Sequence, residues 1–338
     1  MEIKFTSLHQ IDHIEERIEK IDINNQGNIL GQYIQRLLNE ITNSPNKRSF
    51  LFQRETTEIR SAINNLISED YETGSEIIAN RLLPIEQAAQ ERIAHLGVEI
   101  QKGSLFQTII ENEDGKFVII SKADHNEFLD EIDFLIHKGL PWKKRVFKAF
   151  MAKIENDNTL SSIFIYDTNA TMSRYWWENY FELKEKHNDT HNTRTSLDTL
   201  DKKVFNPIKK DYPADHTILR NSTIGYFRNK EEFALQEYIS EIFDNYTPVD
   251  ENFPLQRTKN KIADLPERWN FDRRFLISKG DIDKRAVNKI RLTENIDLIL
   301  KDYVNFDDTI TAEMNDEGDK FIRIKTVNGY NKFKKNNQ

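Results

Sequence analysis

Cysteine is absent from all 338 residues. That single absence removes disulfides, thiolate zinc sites and a cysteine nucleophile together. Glycine is scarce, at 11 residues, and none falls into Gly-x-x-x-x-Gly-Lys or Gly-x-Gly-x-x-Gly. A P-loop and a Rossmann dinucleotide site therefore have no sequence support. Neither a Gly-x-Ser-x-Gly elbow nor a His-Glu-x-x-His pair is present. No apolar run approaches the roughly 18 residues of a membrane-spanning helix. The start, MEIKFTSLHQIDHIEE, lacks the basic end and apolar core of a signal peptide. The expectation is a cytoplasmic protein with no membrane insertion.

What is present is charge. Hydrophobic residues make up 38% and charged residues 31%, the balance of a globular protein with a heavily charged surface. The length suffices for two domains, each with its own core. The net charge of −8 is unevenly spread. Residues 1–140 carry 14 Lys and Arg against 24 Asp and Glu, whereas 257–291 carry 11 basic and 5 acidic residues. A polyanionic partner is thus expected on the C-terminal half and repelled by the N-terminal half.

The N-terminal half is organised around Leu105–Lys122, LFQTIIENEDGKFVIISK. Two nearly continuous apolar strands flank Asn112-Glu113-Asp114-Gly115, where glycine supplies the positive φ of a tight turn. Strands so apolar need cover on both faces. The cover is expected from a helix over 29–41, a second opening at Thr56-Thr57-Glu58, and a third over 75–96 that Pro84 kinks or divides. Met1–Ser7 alternates as a strand and is placed in the same sheet. Asn126–Ile136 reads as an amphipathic, acidic helix.

Downstream, Ser161–Tyr166 is a strand. Tyr175, Trp176, Trp177, Tyr180 and Phe181 crowd into seven residues at helical spacing, the mark of a core face or a dimer contact rather than a base-stacking platform. Asn188–Asn192 reads as a loop, Thr193–Phe205 and Phe227–Tyr246 as helices, and Thr247–Ala263 as a linker. Phe275–Ile277 is a short strand. Thr309–Met314 and Phe321–Lys325, joined by Asn315-Asp316-Glu317-Gly318, repeat the turn chemistry of the first hairpin as a half-exposed sheet. The fold class is α+β: mixed helices on antiparallel, hairpin-containing sheets. Two domains are expected, over 1–155 and 156–338.

Catalytic constellations are sparse. His9/His13 and His187/His191 have the spacing of a metal pair but no acid between them. Glu182-Leu183-Lys184 and Glu113-Asp114-Gly115-Lys116 carry the letters of a Mg²⁺ nuclease, as chance supplies in a chain so charged. No catalytic residue, metal ligand or cofactor is assigned.

Four passages carry a family resemblance: YIQRLLNEITNSPNKRSFLF, LFQTIIENEDGKFVIISKAD, SRYWWENYFELK with TRTSLDTLDKKV, and IRLTENIDLILKDYVNFDDTITAEMNDEGDKFIRI. Together and in this order they resemble the bacterial 37 kDa nucleoid-associated protein family. The acidic segment after the hairpin and the loop around Asn188 have no counterpart. The resemblance implies a cytoplasmic nucleoid protein that associates with DNA, and it supplies no catalytic residues. Combined with the charge map, it leads to a homodimer that binds double-stranded DNA through phosphates with little sequence specificity. The cations expected to do so are Arg273, Arg274, Lys284, Arg285, Lys289 and Arg291, then Lys143, Lys144, Arg145 and Lys148. The alternatives are a nuclease or DNA-sensing subunit of an anti-phage defence system, and a protein–protein adaptor using the acidic N-terminal surface.

Overall fold

The computed structural model describes residues 1–23, 27–44, 47–129, 135–142, 147–169 and 172–334. They form two compact units, Met1–Asn188 with Asp272–Arg274, and Asp189–Phe271 with Phe275–Gln338.

The first unit is built on an eight-stranded antiparallel sheet. Its strands are β1 (Glu2–Asp12), β2 (Arg17–Ile21), β3 (Arg48–Phe52), β4 (Gly103–Asn112), β5 (Gly115–Asp124), β8 (Phe147–Ile154), β9 (Leu160–Asp167) and β10 (Leu183–Glu185), where β6 (Asn126–Leu129) and β7 (Ile136–Gly139) form a separate pair. The spatial order is β10-β3-β9-β8-β5-β4-β1-β2. The expected hairpin lies at its centre, with Asn112 opposite Gly115 and Gly115 at φ 124°. The Asn112 side chain accepts the Asp114 amide and closes the turn. The N-terminal strand joins this sheet beside β4, as its alternation implies.

Both faces of the hairpin are covered, and period-two alternation decides what each meets. Leu105, Ile109, Val118 and Ile120 share a core with α2 (Glu58–Ile67) and α3 (Tyr71–Ile93). Phe106, Ile110 and Ile119 share another with Tyr33, Leu37, Leu38 and Ile41 of α1 (Gly27–Thr42). Thr57 caps α2, its hydroxyl accepting the Arg60 amide. Pro84 does not divide α3, which runs through it. Trp176, Tyr180 and Phe181 are wholly buried against the α2–α3 side, so the aromatic cluster is core. Its backbone, Tyr175–Tyr180, is a π-helical turn rather than a regular α-helix.

The unit boundary falls at Asn188, not at residue 155. The reason is that β9 and β10 complete the same sheet as β8, so no cut between them leaves a closed core. Asn126–Leu129 is a strand paired with Ile136–Gly139 and not part of a helix; residues 130–134 lie outside the described residues.

The second unit is mostly helical. Helix α4 (Asp189–Thr199) continues as a π-helical stretch over Leu200–Phe205, followed by α5 (Asn206–Ile208) and α6 (Pro213–Asn229). The loop expected at 188–192 is the first turn of α4, where Asn192 and Thr193 are buried. The helix expected over 227–246 is interrupted. A short strand β11 (Glu232–Ala234) separates α6 from α7 (Leu235–Ile239) and its π-helical continuation Ser240–Asp244. Helix α8 (Leu255–Ala263) stands in the second half of the expected linker, and α9 (Leu265–Trp269) follows it. Then come β12 (Arg274–Leu276), α10 (Asp283–Ala286), a hairpin of β13 (Asn288–Arg291) and β14 (Asp297–Leu300), and α11 (Phe306–Thr309). The chain ends in β15 (Ile310–Met314), β16 (Lys320–Ile324) and α12 (Val327–Phe333). No helix among the described residues is long and apolar enough to cross a membrane.

Candidate nucleic-acid interface

Helix α8 arises from a simple pattern. Thr258 and Ile262, one turn apart, are buried, and Leu255 and Ala263 pack beside them on the second core. The opposite face presents Gln256, Arg257, Asn260 and Lys261, all exposed. Arg257 and Lys261 are four residues apart and so lie one above the other. Neither makes a side-chain hydrogen bond or ion pair among the described residues. Gln256 donates to the Asn260 side chain at 2.9 Å, and Lys259, on the flank, pairs with Asp244. The π-helical stretch 200–205 packs against α8, and its Lys203 lies 4.2 Å from the ring centre of Trp269, an exposed tryptophan that closes α9.

Two acids on the α4 side are neutralised by structural arginines. Asp198 takes a two-pronged bond from Arg285, at 2.6 and 3.1 Å. Asp201 takes the same from Arg220, at 2.8 and 3.0 Å. The Arg220 guanidinium also reaches the carbonyls of Arg285, Ala286 and Val287, tying α10 to α6. The bond to Asp198 raises the pKa of Arg285 further. Lys202 and Lys203 stay outside these pairs.

The cations named from sequence differ in their surroundings. Arg273 and Arg274 belong to the first unit, are half-exposed and have partners of their own. Arg285 is a structural residue, committed to Asp198. Lys289 bonds Asp297 across the β13–β14 ladder at 2.8 Å, on the surface. Arg291 caps the carbonyls of Thr293 and Glu294. Lys284 is exposed and without a side-chain partner among the described residues. Lys279, also in this segment, donates to the carbonyls of Phe227, Arg228 and Lys230 and so serves the fold.

Lys143, Lys144 and Arg145 lie outside the described residues. Lys148 is a correction: its side chain is buried, 3.4 Å from Asp124 and near the Tyr175 ring. The register places it opposite Lys122, so sheet alternation turns it inward instead of toward a phosphate.

The histidine pairs do not make a metal site. His9 is on a strand, where four residues span roughly 13 Å, too far for one ion to meet His13 as well. His191 is bonded to the Asn270 carbonyl. Glu182 lies 3.4 Å from Arg81, and Glu113 and Asp114 are exposed at the turn. Among the described residues no three of His, Cys, Asp and Glu converge to hold a metal ion.

Sequence reading missed Arg257, Asn260 and Lys261. Their signal was the spacing of Thr258 and Ile262 against Arg257 and Lys261, hidden between Pro248, Pro254 and a run of polar letters. No family model matches the chain, and no curated protein matches it.

Proposed function

We propose that the chain binds double-stranded DNA through phosphate contacts made by its second unit, with little sequence specificity, and that it acts in the nucleoid. The observation that carries this reading is the outer face of α8. It offers Arg257 and Lys261, which have no side-chain partner among the described residues, beside Gln256 and Asn260, whose amides bond each other at 2.9 Å. Exposed Lys202 and Lys284, with half-buried Lys203 beside Trp269, extend the set of cations. Cations left unpaired on a rigid helix are what backbone neutralisation needs. A helix of nine residues also limits how many base edges can be read at once.

The test is fluorescence anisotropy on a labelled duplex of about 40 base pairs, titrated at several salt concentrations with and without Mg²⁺. Affinity should fall steeply with salt while the duplex stays intact. Absence of binding at low salt would overturn the proposal. Loss of duplex with Mg²⁺ would replace it with the nuclease reading.

A further inference from the structure

A cavity of about 500 Å³ opens in the first unit, where the last turn of α3 and the segment after it meet the end of β5, the start of β8 and residues 173–175. Its size is that of a small-molecule site. Ala89, Ile93, Val98, Ile100 and Tyr175 supply apolar wall. Two buried charged side chains, Asp124 and Lys148, also line it.

These two do not satisfy each other. Among the described residues Lys148 spends one of its three donors, on Asp124 Oδ2, at a long 3.4 Å. Asp124 Oδ1 accepts no hydrogen bond among them, although Lys122 Nζ stands 3.7 Å away as an ion-pair contact. Lys122 is itself committed to Glu86 and to the Gln101 carbonyl. The Tyr175 hydroxyl is donated to Glu86, at 3.3 Å. A buried carboxylate oxygen left without a donor is costly, and here it faces a cavity.

The pair calls for a ligand edge that sets an acceptor beside donors. Ammonium and carboxylate cancel in charge, so an ion brought against them would leave water without gaining a counter-charge. A neutral amide-like edge carries no such penalty. Guanine has that edge: O6 accepts, and N1–H and the N2 amine donate side by side. Adenine, cytosine and uracil each set a single donor beside the acceptor. At the mouth, Arg174 is held by Glu178, and Glu99 is exposed. Arg92 gives Nε to the Ala88 carbonyl and makes no ion pair among the described residues.

We propose that this cavity binds a free guanine nucleotide, with O6 on Lys148, N1–H and the N2 amine on Asp124, and the phosphate on Arg92. No residue of the site belongs to the second unit, so the proposal stands or falls independently of the DNA reading.

The test is isothermal titration calorimetry on the full, nuclease-treated and dialysed chain, with GMP, AMP, guanosine and xanthosine monophosphate as probes. GMP should bind, and AMP should bind at least about tenfold more weakly, because it leaves part of the carboxylate unpaired. Arg92→Glu changes an exposed side chain and keeps the fold. It should weaken GMP by about tenfold and leave guanosine unchanged. Asp124→Asn should reverse the base preference, since its amide can donate to the O2 that xanthine carries in place of the amine. A variant that merely lost its fold could not gain xanthosine monophosphate. No heat with GMP up to about 1 mM would overturn the proposal. So would AMP binding as well as GMP, guanosine binding as well as GMP, or a folded Asp124→Asn that still prefers GMP. Displacement of GMP by the DNA duplex would give the cavity to the nucleic acid and overturn it too.

Discussion

Lys122 Nζ lies 2.6 Å from Glu86 Oε1, and both side chains are entirely buried between the central hairpin and α3. The ammonium also donates to the Gln101 carbonyl at 2.6 Å, and Asp124 stands 3.7 Å away. Breaking a buried pair leaves a charge without compensation and costs about 3–5 kcal/mol, whereas replacing both partners with apolar groups is close to neutral. Asp124 compensates part of the loss, so Glu86→Gln should destabilise by about 3 kcal/mol. Glu86→Leu/Lys122→Met should recover most of it. Urea denaturation measures both, and a double variant no better than Glu86→Gln would show that the pair is not the unit that matters.

The stem of the same lysine restricts Gly103. A Cβ built there falls 2.6 Å from Lys122 Cε and 2.7 Å from the Ala123 carbonyl oxygen. The stem of Lys122 can shift, but the β5 backbone cannot without disturbing the central ladder. Gly103→Ala should therefore cost about 1–3 kcal/mol, the range of core overpacking. A variant as stable as the parent would mean that β4 can slide away from β5 at this end.

Three buried histidines make stability depend on acid. Burial pushes His9, His125 and His216 down to about 4, helped by Lys20 at His9, by Lys102 and Lys122 at His125, and by Lys209 and Arg220 at His216. Unfolded histidine titrates near 6.5. Between these values the unfolded chain binds more protons than the folded one. The stabilisation is therefore complete above about pH 6.5 and is lost as the pH falls towards 4. The urea midpoint should drop across that window, and imidazole resonances should titrate near its lower end. A midpoint flat from pH 7 to 4.5 contradicts the assignment.

The central hairpin was legible because its apolar letters are contiguous and its turn is bounded by Asn112 and Gly115. The helices covering it were legible from period and from the Thr57 cap. What escaped were charges whose role is set by partners far along the chain. Lys148 and Lys122 look like surface cations until the ladder turns them inward. Arg285 looks like a phosphate ligand until Asp198, 87 residues earlier, is brought against it. Helix α8 escaped because one of its two buried residues is a threonine, and its polar letters after Pro248 and Pro254 resemble a linker.

Cations on the second unit therefore divide into those that hold the fold and those without a side-chain partner among the described residues, and mutation should separate them. Arg285 is partly buried and bonded twice to Asp198, so Arg285→Ala leaves that carboxylate unpaired and should lower stability by about 1–3 kcal/mol. Arg257→Ala and Lys261→Ala remove exposed side chains with no partner among the described residues and should change stability by no more than about 0.5 kcal/mol. If those two cations meet phosphates, each substitution should reduce the slope of log affinity against log salt by about 1, independent of duplex sequence. Denaturation and anisotropy on the same three variants decide the matter. An unchanged salt slope in Arg257→Ala/Lys261→Ala would move the interface off α8, and an unaffected stability in Arg285→Ala would return that arginine to the set of free cations.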